Sequence, residues 1–178
     1  MTREEIFETI YDTYCTWYDM EKCGEEKTPL AATGQFHEST SSYMLIKKAQ
    51  VWSADSNEYL YIYSMPVLDK DNFIRCVEEA KTAGEQFIAP DRQHKCSYIT
   101  ALFLCDRADT EAVAALKKYR YRKDFQFGLK GWEEVHTAMI LAEGEVVSSN
   151  RDGHNTEKFL NSILHPKKKS FLHKIKGV

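Results

Sequence analysis

Cys96 to Cys105 reads CSYITALFLC, a nearly unbroken apolar run that follows the polar stretch Asp91 to Lys95. At ten residues it has the length of a strand and falls well short of the roughly 18 needed for a helix across a bilayer. Side chains alternate between the two faces of a strand, and here both alternating sets are apolar. A strand of that kind is covered on both faces and lies centrally in its sheet.

The surrounding pattern predicts helices to cover it. Residues 3–20 read as a helix, with Thr2 and Glu5 in capping-box spacing and Ile6, Ile10, Tyr14 and Trp17 on one face. Gly24 is expected to end it, and Glu25 to Thr33 reads as a polar connector. Tyr43 to Ser53 and Tyr59 to Met65, separated by Asp55-Ser56-Asn57, predict a β-hairpin. Tyr59, Tyr61 and Tyr63 then share one face, which is expected to pack under a helix with its hydroxyls toward solvent. Asp69 or Asp71 caps a second helix with the stripe Phe73, Val77, Ala80, Gly84 and Phe87.

Asp109 caps a third helix, with Ala112, Val113, Leu116 and Tyr119 inward. Trp132 to Ala142 and Glu145 to Ser149 read as strands around Glu143-Gly144. Asn155 or Thr156 opens a last helix that Pro166 ends. The order α-β-β-α-β-α-β-β-α is too irregular for a doubly wound fold and too mixed for a bundle or sandwich. It predicts an α+β fold with a mixed or largely antiparallel sheet of about five strands and helices packed on it. One domain is expected over residues 1–165, followed by a basic tail over 166–178.

The five cysteines, at 15, 23, 76, 96 and 105, are odd in number and contain no C-x-x-C. The N-terminal stretch is acidic where a signal peptide is basic, and no apolar run reaches membrane length. These features point to a cytoplasmic protein with reduced thiols.

The formal charge is -3, but it is unevenly spread. Lys167 to Lys176 holds five lysines and no acid, and taking those five charges away leaves the rest at -8. A second basic island, Lys117 to Trp132 (KKYRYRKDFQFGLKGW), carries six cations and five aromatics against the single acid Asp124. Interleaved cations and rings can neutralise an anion and stack on a flat group. Lys118, Arg120, Tyr121, Arg122, Lys123 and Trp132 are therefore the candidate binding residues. Were the third helix to continue, Lys118 and Arg122 would align one turn apart.

Motifs for other chemistry are sparse. There is no glycine-rich phosphate loop and no G-x-S-x-G elbow, so no cofactor is expected. The histidines, His37, His94, His136, His154, His165 and His173, include no pair four apart, and no metal is expected. The E-x-K spacings, Glu25-x-Lys27 and Glu79-x-Lys81, fall in a connector and a helix rather than on a strand. His136 shares a strand face with Trp132, Glu134 and Ala138 and could act as an acid or base.

The functional expectation is a non-catalytic binding protein whose partner is anionic, either a nucleic acid or an acidic protein surface. The alternatives are a metal-dependent hydrolase or nuclease whose site assembles only in the fold, and a homo-oligomeric structural protein. The tail could also meet an anionic membrane.

The central strand carries a direct test. Leu102→Asp buries an unpaired carboxylate, which costs several kcal/mol, against a total stability of about 5–15 kcal/mol for a domain. The variant should lose its cooperative melting transition; a soluble variant with the parent's melting curve would remove this run from the core.

Overall fold

The structure is a computed structural model that describes residues 1–36, 56–90 and 94–166. Its elements are α1 (Arg3–Tyr14), β1 (Asp19–Lys22), β2 (Leu30–Phe36), β3 (Ser56–Leu68), α2 (Lys70–Glu85) and β4 (Cys96–Ala108). They continue with α3 (Thr110–Lys118), β5 (Arg122–Asp124), β6 (Trp132–Leu141), β7 (Val146–Ser149) and α4 (His154–Leu164). The strands form one mixed sheet, in the order β1-β2-β3-β4-β6. β5 and β7 both pair with β6, at its start and its end. β1, β2 and β3 run antiparallel, whereas β4 is parallel to both β3 and β6.

The two parallel steps need helical crossovers, and α2 and α3 supply them. Both lie on one face, where Phe73, Val77, Ala80, Ala112 and Leu116 cover Tyr59, Tyr61, Tyr63, Ile99, Ala101 and Phe103. α1 and α4 cover the other face, packing Ile6, Ile10, Tyr14, Phe159 and Leu160 on Leu60, Ile62, Leu102, Leu104, Ala138 and Ile140. Alternate residues of β4 thus enter two different cores, which accounts for the apolar run on both parities. Leu102 itself is fully buried.

Several expectations hold locally. Thr2 and Glu5 form the capping box, with Glu5 N donating to Thr2 Oγ1 and Thr2 N donating to Glu5 Oε2 at 3.1 and 2.8 Å. Asp69 caps α2 by accepting from Asn72 N at 2.7 Å. The three tyrosines of β3 do lie under α2, but their hydroxyls do not all seek solvent. Tyr63 donates to Cys76 O at 2.9 Å and Tyr59 to Phe87 O at 3.2 Å. All five cysteines are free thiols.

Other expectations are corrected. Among the described residues the sheet has seven strands rather than about five, because β1 and β2 occupy the stretch read as a helix end and a connector and β5 lies in the basic segment. β2 buries Ala32, Gly34 and Phe36, two of them too small to register as a hydrophobic pattern. A Cβ at Gly34 would stand 2.3 Å from Met20 Sδ on β1, so a larger residue there would have to push that flexible side chain aside. α1 stops at Tyr14, and Gly24 has φ -74 rather than a left-handed value. Ser56 and Asn57 open β3 instead of forming a turn. The expected partner strand Tyr43 to Ser53 lies outside the described residues, and β3 pairs with β2. Phe87 is half exposed, beyond the end of α2. α4 is preceded by Gly153, and neither Asn155 nor Thr156 caps it.

Between the pairings of β5 and β7 along β6 lies a gap that one buried side chain fills. Asn150 Oδ1 accepts from Thr137 N at 3.2 Å and Gly153 N at 2.7 Å. Its Nδ2 donates to Tyr119 O at 3.1 Å and Val135 O at 3.3 Å. A buried backbone group left without a partner costs ~1–3 kcal/mol. Asn150→Ala should therefore lower unfolding free energy by about 3 kcal/mol in urea titration; a loss within error of zero would show that water serves these groups as well.

Candidate functional site

The basic-aromatic segment is built where α3 ends. Tyr119 leaves helical geometry with ψ 136, so Lys118 and Arg122 do not share a helix face. Lys117 and Lys118 lie exposed in the last turn of α3. Arg120 turns back on its own chain, donating to Tyr119 O at 2.6 Å and Lys117 O at 3.3 Å, with Asp152 3.6 Å away. From Tyr121 onward the segment is a strand margin, and successive residues go to opposite faces of the sheet.

On one face, Arg122 donates to Glu134 Oε1 at 2.7 Å and Asp124 Oδ1 at 3.0 Å, and lies 4.6 Å over the Trp132 ring. On the other, Tyr121 donates to Glu85 at 2.7 Å and Glu133 at 3.2 Å. Lys123 sits 3.3 Å from Glu133 and 3.6 Å from Glu85, and 5.3 Å over the Phe125 ring. Burial, and then the neighbouring Glu85, push the Glu133 carboxyl up. The Tyr121 hydroxyl holds Glu85 down. Of the expected binding residues, Arg122 meets Trp132, and Tyr121 meets Lys123 across two shared acids; Lys118 and Arg120 stand apart. The rings of Tyr119 and Tyr121 brace α2, Tyr119 donating to Glu78 Oε1 at 3.0 Å.

The hairpin tip between β5 and β6 has its own character. Gln126, Phe127, Gly128 and Gly131 all have positive φ, at 46, 56, 84 and 77°. Two adjacent non-glycine residues in the left-handed region are uncommon and strained. Backbone bonds hold them: Phe125 N to Gly131 O, Gly128 N and Lys130 N to Phe125 O, Leu129 N to Gln126 O, and Gly131 N to Gly128 O, all within 2.9–3.1 Å. A Cβ at Gly131 would lie 2.0 Å from Lys95 O, so glycine is needed for both its φ and its proximity. This turn leaves Phe127 103% and Leu129 83% exposed.

A second cluster was not anticipated. Glu58, at the start of β3, is 1% exposed. It accepts from Tyr18 Oη at 2.8 Å and from Thr100 Oγ1 on β4. Burial pushes its carboxyl up, against the opposing pull of Thr100, His136 and Tyr18. His136 stacks on Tyr98 at 4.7 Å, and its Nε2 lies 3.7 Å from Glu134 Oε2. His136 first, and then Arg122, hold Glu134 low. A carboxyl favoured in its neutral form beside an imidazole can take up or release a proton. The sequence did carry a signal, since Glu58 shares its parity with the core residues Leu60 and Ile62.

Among the described residues, no three His, Cys, Asp or Glu side chains come together as metal ligands. Glu25 and Lys27 fall in a short 3-10 turn, and Glu79 and Lys81 in α2. Among the described residues no helix is long and apolar enough to cross a membrane. The tail from Lys167 lies outside the described residues.

A family model described as "Domain of unknown function (DUF8052)" matches residues 2–162. The chain belongs to the DUF8052 family. The match runs from the N-cap of α1 into α4, so the DUF8052 region holds the whole sheet, both helical layers, the hairpin tip and the Glu58 cluster. The lysine-rich tail lies beyond it. No curated protein and no solved structure matches the chain.

The buried carboxyl gives a pH prediction. Its folded pKa is raised, so its stabilisation is full below the unfolded carboxyl value and fades as pH rises through the folded one. Glu58→Gln keeps a neutral amide there and escapes that loss. The melting temperature of the variant relative to the parent should climb as pH rises above the ordinary carboxyl range; parallel curves would show that Glu58 does not titrate with folding.

Proposed function

We propose that this DUF8052 protein is a cytosolic, non-catalytic binding protein that docks on an anionic partner through the margin formed by the end of α3 and the β5–β6 hairpin. The observation that carries this reading is the exposure of Lys117, Lys118, Arg120, Arg122 and Lys123 along one margin. Lys117 and Lys118 make no ion pair among the described residues. Arg122 (49% exposed) pairs with the partly open Glu134 (21%), and Lys123 (50%) with the buried Glu133 (1%). Taking Lys123 from Glu133 would leave a buried carboxylate unpaired, so these two cations meet an anion from within their pairs, and Lys117 and Lys118 supply the charge an arriving anion meets first. The aromatics favour charge over base stacking, because Tyr119, Tyr121 and Trp132 are engaged by Glu78, Glu85 and Arg122. The free thiols agree with a reducing compartment.

A second reading rests on Glu58 and His136: acid–base hydrolysis at the buried cluster. It would show as turnover of a model ester or phosphodiester that Glu58→Gln abolishes while anion binding persists.

The binding reading is tested on a heparin column and with a labelled oligonucleotide at two salt concentrations. The triple reversal Lys117→Glu, Lys118→Glu and Arg120→Glu should elute at lower salt and reduce the slope of log affinity against log salt by about 2. Its melting temperature should stay near the parent's. No retention of the parent at low salt, or equal retention of the variant, refutes the reading.

A further inference from the structure

Phe127 and Leu129 are the most exposed large apolar side chains among the described residues. They are not loose ends of a poorly packed loop. Five of the seven backbone N–H groups from Phe125 to Gly131 donate within the loop. The positive φ values at Gln126 and Phe127 turn the chain so that the side chains project outward. Nothing surrounds Gly128 within 4 Å of where a Cβ would lie, so the apex is convex and open.

A convex apex with two apolar side chains and an internally bonded backbone suits a soft, planar apolar medium. A protein partner would have to supply a fitted pocket, whereas a bilayer needs no shape. Backbone groups entering an interface must already be paired, as most of these are. Below the apex come Lys130, Lys123 over Phe125, and Trp132 under Arg122. Cations and aromatic rings at that depth match the headgroup zone of a membrane. The one acid of the segment, Asp124, is engaged by Arg122. Further back, Lys117 and Lys118 add charge complementary to an anionic leaflet.

We infer that the anionic partner is the surface of an anionic lipid bilayer, into which Phe127 and Leu129 insert while the neighbouring cations meet the headgroups. The inference rests on the anion-binding reading above and names its partner.

The test uses the full chain in co-flotation with vesicles of phosphatidylcholine alone and of an equal mixture of phosphatidylserine and phosphatidylcholine. The parent should bind the mixed vesicles and not the neutral ones. Phe127→Ser with Leu129→Ser should weaken that binding roughly hundred-fold, as expected for two apolar side chains withheld from the interface. It should leave the melting temperature and heparin elution unchanged, since both side chains start out exposed. The charge-reversed triple variant should lose vesicle and heparin binding together. Heparin retention without vesicle binding overturns the lipid assignment and leaves the anion reading standing. Binding to polyglutamate but not to vesicles assigns the surface to an acidic protein instead. Vesicle binding equal in the serine variant overturns insertion by the tip. Loss of both heparin and vesicle binding in the parent removes both readings.

Discussion

β4 is apolar toward both α2–α3 and α1–α4, and it hydrogen-bonds in parallel to β3 and β6 along most of its length. Both neighbours inherit its constraints. Parallel pairing demands crossovers, and the crossovers α2 and α3 bury one face. The opposite face is left to α1 and α4, which come from the two ends of the described chain. Substitutions along β4 are therefore felt in two cores, because its alternate residues enter one and then the other.

The margin beyond β6 shows how the sheet ends where its strands are short. β5 and β7 each cover part of β6, and the interval between them would leave backbone groups unpaired. Asn150 supplies two acceptor bonds and two donor bonds in that interval. Its amide acts as a piece of strand, tying the end of α3, β6 and the entry to α4 together. The hairpin that carries the exposed apex grows from the same margin, so the apex is anchored by β6 and not by the loop alone.

Charge follows the same geometry. The acids Glu85, Glu133 and Glu134 lie on α2 and β6, and the cations of β5 reach them from opposite faces. The two sides of the margin differ in consequence. Glu133 is buried and kept toward its neutral form, whereas Glu134 is partly open and kept charged by His136 and Arg122. The basic segment thus combines two jobs: bracing the hairpin base through its inward side chains and presenting Lys117, Lys118, Phe127 and Leu129 outward.

The centrality of β4, the caps of α1 and α2, the burial of the β3 tyrosines under a helix and the α+β class were legible in the sequence. Each depends on residues close along the chain, through side-chain period, capping distance or turn chemistry. β1 and β2 were not legible, because Ala32 and Gly34 are buried through close strand contact rather than through hydrophobic bulk. The Glu58 cluster and the carboxyl pair Glu85–Glu133 draw on residues far apart in sequence, and no local pattern records which strands will lie side by side. By itself the sequence determined which segments could be strands or helices and which of their faces must be covered. Only the tertiary structure decided which acids answer the cations of residues 117–132, and that Phe127 and Leu129 stand free. Those outcomes depend on strand order and on a backbone turn of positive φ, neither of which side-chain periodicity encodes.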